Sequence, residues 1–149
     1  MTDVTDLIAK QKAMNTPPEE PAEPTAAQRL IEKAREAYEN APYEPVQVLL
    51  ADEVVTIEIA VVRGEAWGDL EAFHPAKGPG DMRLGYNTRT LPRDYPVERL
   101  RVNGEPIEQE VWTDLYDCLP PEHQDNVHTV MWGLNVLEPQ QRLKALKAG

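Results

Sequence analysis

The stretch VQVLLADEVVTIEIAVV, residues 46–62, constrains this chain most. Val, Ile and Thr dominate it, and such side chains suit a pleated, half-buried surface. Ala51-Asp52-Glu53 supplies a turn, so the segment predicts a β-hairpin. Val55, Ile57, Ile59 and Val61 alternate with Thr56, Glu58 and Ala60. The first set is expected to face a core and the second to be wetter. A lone hairpin is marginal in water, so it must pack on helices. That requirement sets the expected fold class: α+β, mainly helical, with a hairpin packed on a small helical bundle.

The helices flank it. Residues 25–40 predict one, with Thr25 as the cap and Leu30, Ala34 and Tyr38 spaced by four beside Ile31. Its apolar stripe is narrow, which fits light packing or the binding of a partner. Residues 64–73 predict another, with Trp67, Leu70 and Phe73 on one face and Pro75 ending it. AKGPGD (76–81) predicts a loop, and residues 92–101 a short helix opened by Pro92. Val102-Asn103-Gly104-Glu105 predicts a turn, because Asn-Gly accepts positive φ. Residues 108–119 repeat Val111, Leu115 and Leu119 at helical spacing, with Trp112 and Cys118 beside them. Pro120 and Pro121 break that helix, and Pro121 opens the next. The next helix carries Val127, Val130, Met131, Leu134 and Leu137, until Pro139 interrupts it. Four parts follow from this reading. They are an N-terminal helix and Pro/Glu linker (1–24), a helical extension (25–45), a globular domain (46–138) and a C-terminal helical tail (139–149). Thr2 or Asp3 is expected to cap the N-terminal helix. Four prolines and three glutamates over residues 15–24 favour an extended, self-repelling linker.

Composition narrows the function. At 149 residues the chain can bury a real core. Its net charge of −11 opposes both phosphate backbones and anionic membranes, so neither nucleic acid nor membrane is an expected partner. An acidic surface suits reversible contact with a basic or mixed-charge protein. The N-terminus lacks a basic start followed by an apolar run, so no signal peptide is expected. Cys118 is the one cysteine, which excludes an intramolecular disulfide, and its apolar-periodic setting predicts a small core residue.

No segment has the form of a catalytic motif. Cys118, His123 and His128 make C-x4-H-x4-H, too loosely spaced for a zinc set and broken by two prolines. Cys118 has no glycine-rich elbow for a Cys-His nucleophile. KGPGD lacks the Lys-Ser/Thr ending of a phosphate loop. Asp81, Asp114 and Asp117 have no spacing that demands a metal, so a solvated face is expected. No catalytic, cofactor or metal residue is assigned, and the chain is not expected to be an enzyme.

The linear order of residues 54–137 carries more information than any one motif. Trp67 lies on the first helix after the hairpin. His74-Pro75, the acidic Asp81, Leu84-Gly85-Tyr86-Asn87 and Pro92 follow. Trp112 with Leu115 and Leu119 comes next, and a last helix ends near Asn135. This order resembles the tail assembly chaperones of long, non-contractile-tailed phages of actinobacteria. Residues 1–40 lie outside the resemblance, and VNGEPI (102–107) is longer and more strand-like than the family's short connection. The resemblance implies a non-enzymatic protein that binds the tape measure protein and helps tail tube subunits assemble around it. It implies action in the host cytoplasm, absence from the finished virion, and a short product of a frameshifted gene pair. Self-association is compatible with it. Trp67, Gly85, Tyr86 and Asn87 are the structural signature. Trp112, Tyr116, Met131 and Trp132 are the expected partner-binding anchors, because aromatic and Met side chains dominate such contacts. The rival reading is a virion structural protein, such as a head–tail connector or minor tail component.

Overall fold

A computed structural model describes residues 23–149 of the chain. The expected N-terminal helix and nearly all of the Pro/Glu linker lie outside the described residues. The chain divides after Glu36 into two compact units. In the first, helix α1 (Ala26–Glu39) begins and runs across the boundary. Thr25 caps it as expected, and the cap is reciprocal. The Gln28 amide donates to Thr25 Oγ1 at 3.1 Å, and the Thr25 amide donates to Gln28 Oε1 at 2.8 Å.

The second unit holds a three-stranded antiparallel sheet and the remaining helices, an α+β, mainly helical fold. Strands β1 (Glu44–Leu50) and β2 (Glu53–Ile59) form the expected hairpin, in register from Glu44 opposite Ile59 to Leu50 opposite Glu53. The turn is tighter than expected: Ala51 and Asp52 alone close it, with Ala51 at φ 53°. Two-residue hairpin loops need positive φ to match the strand twist. Val55, Ile57 and Ile59 face the core. Beyond Ile59 the alternation inverts, and Ala60 and Val62 are buried where Val61 was expected to be. The chain leaves the ladder there. The Ala60 amide bonds the Arg99 carbonyl, and the Val62 amide bonds the Asn135 side chain.

Strand β3 (Leu100–Val102) pairs with the far edge of β2, Leu100 opposite Ile59. A helix was expected over 92–101, and the chain instead makes two 3-10 turns (Leu91–Asp94, Val97–Arg99) before the strand. Pro96 is the cause. It drives Tyr95 to extended backbone (φ −58°, ψ 134°), so a helix cannot run through. The Val102–Glu105 turn forms as expected, with Asn103 at φ 51° and Gly104 at φ 81°. Asn103 also prolongs the sheet, because its amide donates to the Thr56 carbonyl while its side chain accepts the Thr56 amide.

Edge strand β1 is defended. The Leu49 amide donates outward to His123 Nδ1 at 2.9 Å. By antiparallel alternation the other outward amides on β1 are those of Gln47 and Pro45, and proline has none. Among the described residues only the Gln47 amide is left as an outward donor, which blunts the edge as a template for another strand.

Helix α2 (Gly64–Phe73) has its expected bounds, but its face is different. Trp67 and Leu70 are buried, whereas Phe73 is 79% exposed. His74, one residue on, turns inward instead. AKGPGD is not wholly a loop, since Pro79–Met82 makes one short turn, α3. Helix α4 spans Gln109–Asp117 and α5 spans Pro121–Trp132, with Pro121 at its first turn as expected. Pro139 does not stop the last helix. The chain widens into a π turn over Gly133–Leu137 and continues as α6 (Glu138–Ala148). Proline lacks the amide that an α-helix would use there, and its ring clashes with the carbonyl four residues back. Opening one wider turn ahead of Pro139 removes both conflicts.

Candidate functional site

The signature residues converge on Tyr86. Its ring meets Trp67 edge to face with centroids 5.9 Å apart, and its hydroxyl lies 2.7 Å from His128 Nε2. Tyr86 forms an isolated bridge with Pro75, reinforced by the Asn87 amide bonding the His74 carbonyl at 2.7 Å. Gly85 enters this arrangement at φ 85°, where a side chain would be strained. Asn87 braces the next turn, its Oδ1 accepting the amides of Arg89 and Thr90. Asp81 gathers the preceding loop by accepting the Lys77 amide and both the amide and hydroxyl of Thr88. Those bonds, the Lys77 amide first, hold its carboxyl below the usual range. Every part of His74-Pro75, Asp81 and Leu84–Asn87 thus serves one folded loop.

His74 holds that loop from within. Its Nδ1 lies 2.8 Å from Thr90 Oγ1 and its Nε2 2.8 Å from Asp94 Oδ2. These two bonds tie the Thr90–Asp94 turn to the end of α2.

Of the expected anchors, Trp112, Tyr116 and Met131 are core residues. They are 0%, 1% and 0% exposed. Trp112 Nε1 donates to the Pro92 carbonyl at 2.7 Å and the Tyr116 hydroxyl to the Arg89 carbonyl at 2.7 Å. A fully enclosed side chain offers no surface to a partner, so their assignment as anchors is corrected. Trp132 remains half-buried on the surface, as a contact residue requires. Cys118 is corrected in the opposite sense, since it is exposed, not core. Cys118, His123 and His128 do not meet: His123 caps Leu49, and His128 faces Tyr86. Among the described residues no group of three His, Cys, Asp or Glu side chains is placed to hold a metal.

The rotation of α4 creates a surface that periodicity did not reveal. With Trp112 and Tyr116 inward, Val111 is 52% exposed. Val111, Leu115 and Cys118 then face the hairpin tip, and with Leu50, Ala51 and Asp114 they line an open groove of about 450 Å³. Its walls are almost wholly apolar, with Asp114 the one charged lining residue. A second groove, about 310 Å³, runs along the π turn between Trp132, Leu134 and Leu137, with Glu44 and Glu138 on its rim.

The buried His128 adds a pH dependence. Burial holds its imidazole below the ordinary value of 6.5, against the opposing pull of Asp125 and Asp81. The unfolded chain then binds more protons than the folded one, so stability rises with pH. The His128 contribution is complete above 6.5 and is lost as pH falls through the lowered folded value. The urea midpoint is expected to fall as the buffer is taken from above 6.5 down through that value, and His128→Gln to flatten this limb. Equal slopes in the two proteins would show that His128 does not set it.

Comparison with described protein families, with curated proteins and with solved structures finds no match for this chain.

Proposed function

We propose that this chain is a tail assembly chaperone of a long-tailed phage, a binding protein with no catalytic step. The reading rests on the order of Trp67, His74-Pro75, Asp81, Leu84–Asn87 and Trp112. It is supported by the packing of most of those residues into one loop around Tyr86. The observation that carries the binding step is the apolar groove of α4 and the hairpin tip. A chaperone must hold an aggregation-prone client loosely while staying soluble. An open apolar groove on a chain of net charge −11 meets both needs. Its clients are the tape measure protein and, through it, the tail tube protein. An amphipathic client helix would lay its apolar face on Val111 and Leu115. The protein acts in the host cytoplasm, is left out of the finished particle, and is the short product of a frameshifted gene.

Peptide mass spectrometry of infected-cell lysate beside purified particles tests this. Abundant peptides in lysate with none in particles, some from a longer product sharing this sequence, are expected. Stoichiometric peptides in particles would make the chain a head–tail connector or minor tail component instead. On the purified protein, Val111→Asp is expected to weaken capture of the tape measure protein by about tenfold or more. Because Val111 is exposed, stability should change by no more than about 0.5 kcal/mol. Undiminished capture by that variant would remove the groove from the mechanism.

A further inference from the structure

Helix α5 and the loop that carries Asp81 enclose an open pocket of about 470 Å³. That lies within the range of small-molecule sites, roughly 300–1,000 Å³. The buried polar group in its wall is His128, only 7% exposed. His128 Nε2 lies 2.7 Å from the Tyr86 hydroxyl. Burial pushes the Tyr86 phenol above its ordinary value and keeps the His128 imidazole neutral. A phenol O–H is a stronger donor than an imidazole N–H, so the hydroxyl donates to Nε2 and the ring proton is assigned to Nδ1. Nδ1 has no partner among the described residues, yet the protein does not enclose it. It is a donor that opens into the pocket with no protein group to receive it. Two opposite charges line the same pocket. Arg83 and Asp125 are both exposed, and neither enters an ion pair among the described residues. Leu84 and the half-buried Trp132 supply the apolar wall.

We propose that this pocket binds a free α-amino acid with an apolar or aromatic side chain. Its carboxylate accepts the His128 Nδ1–H and faces Arg83, its ammonium meets Asp125, and its side chain lies on Leu84 and Trp132. Simpler ligands answer only part of the lining. A bare carboxylate would satisfy Nδ1 and Arg83 but meet Asp125 as a repelling charge. A bare amine would satisfy Asp125 but face Arg83 and leave the Nδ1–H without an acceptor. A zwitterion meets the donor, the cation and the carboxylate together, through charge-assisted bonds. Asp81 also bears on His128 from the loop, but its carboxylate already accepts the Lys77 amide and the amide and hydroxyl of Thr88. The pocket shares no lining residue with the groove on α4, so it stands or falls separately from the client reading.

Heteronuclear NMR titration of the full chain with L-phenylalanine tests this. Saturable one-to-one binding is expected, with the largest shifts at the Trp132 indole N–H and the His128 ring. Phenylpropionate lacks the ammonium and phenethylammonium lacks the carboxylate, and each should bind about tenfold more weakly or worse, the equivalent of one lost charge-assisted bond. Arg83→Ala and Asp125→Ala should each weaken L-phenylalanine by a similar factor. Both side chains are exposed, so the variants should keep the circular dichroism spectrum of the parent chain. No saturable shift up to about 10 mM overturns the proposal. So does phenylpropionate or phenethylammonium binding as tightly as the amino acid, or binding that neither substitution weakens.

Discussion

Trp112→Ala is expected to be the most destabilising single substitution in the helical layer, costing about 3–5 kcal/mol. The side chain is fully buried, and its ring lies 5.9 Å from that of Tyr116. Truncation would open a large cavity between α4 and the 3-10 turn that begins at Leu91. It would also strip the Pro92 carbonyl of its donor, the indole N–H at 2.7 Å. A domain of this size holds only about 5–15 kcal/mol in total, so a sizeable unfolded fraction should appear at physiological temperature. Urea denaturation followed by far-UV circular dichroism gives the loss directly. The neighbouring Val111→Asp variant, nearly neutral by the same measurement, provides the contrast. A folded Trp112→Ala protein of ordinary stability that has lost its client would show that Trp112, not Val111, faces outward.

That contrast marks where the sequence was ambiguous. Around α4 two stripes compete at helical spacing, Val111–Leu115–Leu119 and Trp112–Tyr116, and only Leu119 of the first is buried. Counting apolar residues favours the first, and area favours the second. An aromatic side chain buries roughly 150–250 Å² and carries a polar handle that finds a carbonyl. The larger pair took the core and left Val111 and Cys118 outside. The hairpin was legible because β-branched alternation and a turn agree over the same residues. So were the cap at Thr25, the bounds of α2, the Asn103-Gly104 turn and the start of α5, each fixed by a local rule. Strand β3 was not legible, because three residues carry no period, and only the unpaired edge of β2 makes them a strand. The role of Leu84–Asn87 was visible as a loop anchor, but its partners were not. His128 lies 42 positions from Tyr86, and nothing in local spacing joins them. The second groove was foreshadowed by Trp132 alone; its walls depend on the π turn, which periodicity cannot foresee.

Asn135 is expected to be the costliest polar residue to replace. It stands in the π turn and joins three elements. Its Oδ1 accepts the Val62 amide at 3.0 Å, and its Nδ2 donates to the Tyr95 hydroxyl at 3.0 Å and the Met131 carbonyl at 2.8 Å. Tyr95 is fully buried and its hydroxyl donates to the Ala60 carbonyl at 2.6 Å, so the network ties the π turn to the end of β2. Asn135→Leu is close in volume yet orphans the Val62 amide where Val62 is buried. An unsatisfied buried donor costs about 1–3 kcal/mol, and the lost bonds to Tyr95 and Met131 add to it. Tyr95→Phe should couple with it, so the double variant should lose less than the two single losses together. Pro139→Ala separates the two origins of the π turn. If Pro139 alone imposes it, restoring the amide should let α5 and α6 fuse in regular α register, which would rotate Asn135 away from Val62 and Tyr95. If the Asn135 bonds hold it, the turn should persist in Pro139→Ala and vanish only when Asn135 is changed as well. Amide exchange at Val62 reads the difference: a slow Val62 amide in Pro139→Ala assigns the turn to Asn135, and a fast one assigns it to the proline.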